Sequence, residues 1–264
     1  VYDAMVDVIE INPIKNVFVE GNVKCYINGQ LVNDDHNTWI IYGANRLKYM
    51  LVGGTVYNFI SRIRATDELD VGMFDVNVST FSSSVSTDST YSDAIVTFSA
   101  SHTPSSSITV KNLYARDSVS QDNYLFQYTF TSPIQVSAGW TISINWTVRV
   151  RLSVSQAVWD SGATSFVEAF CKTWSYTIDR LVAYSGDTSR GGADSFSRTA
   201  STGVSPVTMT FSCVGTFSTG YSQSSVDNIR LCYNTAIPLI KFNVSTYSKN
   251  TDESVQVNVT FTVT

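Results

Sequence analysis

Two histidines, four cysteines and one dense acidic stretch hold most of the catalytic or metal-binding potential of this 264-residue chain. His36 follows Asp34 and Asp35, and His102 opens a polar run, His102-Thr103-Pro104-Ser105. A general base works only with a proton-bearing partner in reach, often a nucleophile announced by a local signature. Neither histidine has a G-x-S-x-G beside it, and the chain contains no H-E-x-x-H and no phosphate-binding loop. Both are therefore read as loop histidines at the surface. Asp67, Glu68, Asp70 and Asp75 form the acidic stretch. Oxygen-rich loops hold calcium, and glycosidases need two carboxylates at a set separation. The D-x-D-x-D-G spacing is missing, so solvated loop charge is expected in its place. The reading assigns no catalytic residue, no cofactor site and no metal site.

Cys25, Cys171, Cys213 and Cys232 lack C-x-x-C spacing, which argues against zinc. Cys213 and Cys232 fall on two expected strands of the second half; they are either bridged or both small buried hydrophobes. N-glycosylation sequons stand at Asn77, Asn145, Asn243 and Asn258. Seventeen asparagines among so many Ser and Thr give about this number by chance. Trp140, Trp146, Tyr124 and Tyr128 resemble a sugar-stacking set, but each falls on an alternating strand face and is assigned to the core.

The elements that would position these residues are mostly strands. From Trp140 to Leu152 apolar residues alternate with polar ones, and Val255 to Val263 repeats the phase. Period-two alternation is the mark of a strand with one buried and one wet face. Two such strands, each closing half of the chain, point to a tandem duplication. Thr97-Phe98-Ser99 returns as Thr210-Phe211-Ser212, and Val110–Tyr114 as Ile229–Tyr233. The Tyr57–Arg62 run returns as Tyr176–Arg180, with Asp67 or Asp187 following. A helix is expected over 37–51, capped by Asp35 or Asn37 and stopped by Gly53-Gly54. A second helix is expected through Phe166, Phe170 and Trp174, with a Ser165–Glu168 capping box.

Strands are expected near 56–65, 71–80, 94–101, 107–115, 123–131 and 139–152, then 177–185, 206–214, 226–233, 238–246 and 254–264. Ser82–Ser92 and Gly186–Thr202 read as long polar loops. The expected fold is mainly β: two tandem antiparallel β-sandwich, jelly-roll-like domains, each with one short helix. Its expected divisions are 1–35, an N-terminal extension with a hairpin turning at Asn28-Gly29, then 36–153 and its duplicate 154–264.

Composition narrows the function classes. Charged residues make up 15% of the chain, and Ser and Thr about a quarter. The net charge of -5 argues against a nucleic-acid surface. No run of 18 apolar residues exists, so no membrane span is expected. The chain starts at Val1 without a signal-peptide pattern, and the expectation is a removed upstream piece or the ordered part of a longer product.

Carried by Trp39–Leu47, Ala65-Thr66-Asp67, Phe98-Ser99-Ala100 and Ser137–Thr147, the chain resembles virion structural proteins. The likeness is to the β-sandwich modules of tailed-phage tail, collar and spike proteins and of archaeal icosahedral virus turret proteins. In the second half Asn250-Thr251-Asp252-Glu253 replaces the glycine turn of that pattern. The resemblance implies a non-enzymatic virion component that assembles symmetrically with copies of itself and other virion proteins, with a host-surface glycan as a further contact. The alternatives are a cell-surface carbohydrate-binding or adhesin module, and a glycoside-processing enzyme using Asp67–Asp75.

Overall fold

A computed structural model describes residues 6–53, 59–118, 124–172, 178–234 and 237–264. The fold is mainly β, with seventeen strands and two short helices among these residues. Its two most regular strands are β9 (Ile142–Ser153) and β17 (Ser254–Val263). Ile144, Trp146, Val148, Val150 and Leu152 are buried on one, and Val255, Val257, Val259, Phe261 and Val263 on the other. The residues between them face outward, as the pleat requires.

One order of pairing occurs twice. In the first half β5 (Thr80–Thr87), β6 (Tyr91–His102) and β9 pair antiparallel in sequence. In the second, β13 (Ser195–Val204), β14 (Val207–Phe217) and β17 do the same. Phe98 stands opposite Trp146 and Phe211 opposite Phe261, with ring centroids 5.9 Å and 5.1 Å apart. The partner sheets also correspond. β4 (Gly72–Asn77), β3 (Arg62–Thr66), β7 (Ile108–Arg116) and β8 (Tyr124–Val136) follow one another in space. So do β12 (Thr188–Gly192), β11 (Ile178–Ser185), β15 (Gln223–Tyr233) and β16 (Ile237–Lys249). The sheets of a half pack closely: a Cβ on Gly215 of β14 would meet the Leu181 side chain of β11 at 2.9 Å.

The 22-residue strand β1 (Val6–Ile27) ties the halves together. Its first part pairs parallel with β17, from Val6↔Ser254 to Val17↔Val263. Its second part pairs antiparallel with β9, from Phe18↔Arg151 to Ile27↔Ile142. The expected turn joins it to β2 (Gln30–Trp39), with Asn28 and Gly29 both at positive φ. This hairpin is part of the sheet and no appendage, because Val23 and Cys25 are fully buried.

Helix α1 (Ile41–Val52) packs on β8 and also on β13 and β14 of the other half, while α2 (Ala163–Glu168) packs on β5 and β6. Buried Arg46 of α1 donates to the carbonyls of Ala169 and Lys172 just after α2. Arg198 of β13 reaches back to the Val52 carbonyl at 3.0 Å. Each helix therefore covers a sheet drawn from the opposite end of the chain.

Several sequence expectations are corrected. The first helix starts later than 37, because β2 runs on to Trp39; Ile40 precedes it with extended backbone and no side-chain cap. Gly53, at φ 78, stops it as expected, and Gly54 lies outside the described residues. Ser165 sits inside α2, so the capping box is not formed; Glu168 accepts instead from Ser83 and Lys172. Trp174 lies outside the described residues. The expected loops Ser82–Ser92 and Gly186–Thr202 contain β5, β12 and β13. These strands stand at sheet edges and bury little apolar surface, so their Ser, Thr and Gly residues read as loop.

Candidate functional site

The acidic stretch is taken apart by the fold. Asp67 accepts the backbone N–H of Leu69 and Val71 at 2.9 and 2.8 Å, shaping the β3–β4 turn. Asp70, at φ 61, accepts from the Tyr114 hydroxyl at 3.1 Å. Asp75 lies on β4 between Arg62 and Arg116. Burial pushes its carboxyl up, but hydrogen bonds from Arg116 and Arg62 outweigh this and hold it below the usual range. These carboxylates are turn formers and ion-pair partners. Among the described residues no group of three or more His, Cys, Asp or Glu is placed to hold a metal.

Both histidines stand on strands, not in loops. His36 is exposed on β2 opposite Asn22. His102 ends β6, stacked on Phe74 at 4.7 Å, and burial lowers its pKa. All four cysteines are free and buried. Cys213 lies on β14 in the apolar core, whereas Cys232 lies on β15 in the opposite sheet and outside that cluster. The bridged alternative is thereby corrected: the two side chains occupy different environments. Burial pushes both thiols up to about 12.

The sequons are on strands. Asn77 ends β4 and accepts from Arg62 at 3.2 Å. Asn145 is exposed on the outer face of β9, and Asn243 is exposed on β16. Asn258 on β17 is half-buried and donates to Glu10 at 2.6 Å.

Among the aromatics, Trp146 is fully buried and Tyr128 nearly so, its hydroxyl 2.8 Å from Asn33 Oδ1. Half-buried Tyr124 leans on Tyr114 at 4.6 Å. Trp140 is the exception, 48% exposed. The strand starts only at Ile142; Trp140 belongs to the preceding turn, its N–H bonded to the Ser137 carbonyl and Gly139 at φ 77. The Ala138-Gly139 dipeptide was the signal for that turn.

Two larger surfaces remain. The outer faces of the two long sheets carry matched hydroxyl pairs: Thr97–Thr147 at 3.1 Å on one, Thr210–Thr262 at 2.9 Å and Ser212–Thr260 at 3.0 Å on the other. Such pairs add cross-strand contacts without charge. The second surface is a groove of about 640 Å³ between the first part of β1 and the outer edge of β16, bounded at one end by Ser155 and Gln156. Ile9, Ile11, Val244 and Tyr247 pack partly buried against the core there, and Asp7 and Glu10 are exposed beside them. Sequence reasoning missed this groove, since it arises from pairing between residues at opposite ends of the chain. No known family model, no curated protein and no solved structure matches the chain.

Proposed function

We propose that the chain is a non-enzymatic virion structural protein, a building block of a turret, spike, collar or tail, descended from a duplicated sandwich module. The carrying observation is β1, which lies in a sheet of each half and so joins them over its whole length. Reciprocal helix packing adds to that joint. A unit whose halves are tied together in this way suits an appendage, because repeated weak contacts add up only when each copy presents its surfaces in fixed geometry. The outer faces carrying Thr97–Thr147 and Thr210–Thr262 supply broad surfaces for such contacts, the first with an ion-pair cluster of Glu20, Asp93, Arg149 and Arg151 beside its hydroxyls. Partners are copies of this chain and other virion proteins. The test is electron microscopy of purified particles with labelled chain, together with the solution mass at high concentration. Regular decoration of particles and a defined oligomer are expected; a persistent monomer that never accompanies particles overturns the reading.

A second reading, carbohydrate contact as an adhesin-type module, is favoured by exposed Trp140 alone. An exposed indole offers a flat apolar face for a sugar ring. Saturable binding on a glycan array, abolished by Trp140→Ala, would support it; binding unchanged by that substitution would remove it.

A further inference from the structure

The seam between the two sheets is covered in one half and open in the other. In the first, β2 pairs with β1 from Ile27↔Gln30 to Gly21↔Asn37 and then crosses to β8 at Thr38 and Trp39. In the second, the short strand β10 (Ala157–Trp159) makes the same crossing onto β16 just before its helix. Among the described residues, nothing there matches the first part of β2. Among the described residues, no strand pairs with the outer edge of Val6–Ile11, and none with β16 beyond Phe242 on that side. The groove lies between these two open edges.

We propose that the groove binds one extended strand of a partner protein, in the way β2 covers the first half, and that this strand is basic. Open strand edges supply main-chain hydrogen bonds, and a partly apolar floor takes alternate side chains. Asn243–Tyr247 offers a track of roughly 17 Å at about 3.3 Å per residue, enough for about five residues. The sign of the charge follows from the covered half. There β1 presents Lys24, and the covering strand answers with Asp34 at 3.0 Å. At the groove β1 presents Asp7 and Glu10, so the complementary strand carries Lys or Arg. The same acids oppose edge-to-edge pairing with β1 of a second copy, where like charges would meet.

The inference rests on the assembly reading only in taking the strand from a neighbouring virion protein. The isolated chain is titrated with a blocked, labelled peptide alternating lysine and valine over seven residues, and with its glutamate counterpart. Anisotropy reads binding, and hydrogen exchange reads its place. The lysine peptide is expected to saturate and to slow exchange in 6–11 and 243–247, while the glutamate peptide does not bind. The surface variant Asp7→Lys with Glu10→Lys should weaken the lysine peptide about tenfold or more and admit the glutamate one. Three results overturn the proposal: no saturable binding, protection elsewhere, or equal binding of both peptides. Self-association abolished by the same variant would also overturn it, naming a second copy as occupant. Particle membership is read separately by microscopy, so failed peptide capture leaves the assembly reading standing.

Discussion

Trp146 and Phe261 hold matching places on the closing strands of the two halves, but their surroundings differ. Trp146 is fully buried, with β6 and β1 antiparallel on either side and Val23 opposite on β1. Phe261 is 3% exposed, and its β1 neighbour runs parallel with register shifts on both sides of Ile14. A bulged ladder bends more easily around a deleted side chain than a regular one. One arrangement, built twice, thus has an unyielding version and a more adaptable one.

The sharpest way to break this comparison is truncation. Trp146→Ala is expected to cost ~3–5 kcal/mol in denaturant unfolding, and Phe261→Ala the lower end of that range. Equal losses would erase the difference. A Trp146→Ala loss within ~0.5 kcal/mol would remove the buried-face assignment itself. Next comes Arg46, which binds the chain after α2 to α1. Arg46→Met leaves the Ala169 and Lys172 carbonyls without this donor and should cost about 2–3 kcal/mol. Were the halves independent, that loss would stay near zero.

Asp75 tests an ion-pair cluster of the first half. Asp75→Asn should cost about 1–3 kcal/mol near neutral pH. Because its folded pKa is depressed, the stabilisation is complete above the unfolded value of about 3.9 and is lost as pH falls through the folded value. The difference between wild type and variant should therefore shrink under acid, as paired pH titrations of unfolding would show. The smallest effects belong to the outer faces. Thr147→Lys and Thr262→Lys should each change stability by about 0.5 kcal/mol or less. Loss of assembly by either variant, with stability intact, would identify that face as a subunit contact.

How much of this was legible in the sequence depended on whether a residue's role was local. Alternation disclosed β9 and β17, and Asn28-Gly29 disclosed the hairpin turn, since both signals sit within a few residues. Phe98 and Phe211 betrayed the repeated pairing because a core position keeps its size. β5 stayed hidden because Phe81 and Val85 are its two large apolar residues, both exposed, and Ser or Thr fills every other position. β13 was within reach: Phe196, Arg198, Ala200 and Thr202 alternate with exposed Ser195, Ser197, Thr199 and Ser201. Trp140 was misplaced by extending a regular pattern two residues into a turn. The groove and the crossed helices depend on contacts between distant segments, which no local window contains.

The shared strand also imposes a timetable on the chain during synthesis. Glu10 finds Asn258 across 248 residues of sequence. The second part of β1 can join β9 once residue 153 has left the ribosome, but Val6–Ile11 must wait for β17, whose residues 254–263 are made much later. Contacts this remote form late, after the entropy of closing the intervening loop has been met. Until β17 emerges, the first part of β1 therefore remains an open strand edge. Pulse-labelled hydrogen exchange during refolding should show Val19–Ile27 protected before Val6–Ile11. The opposite order would mean that the two ends of the chain meet first.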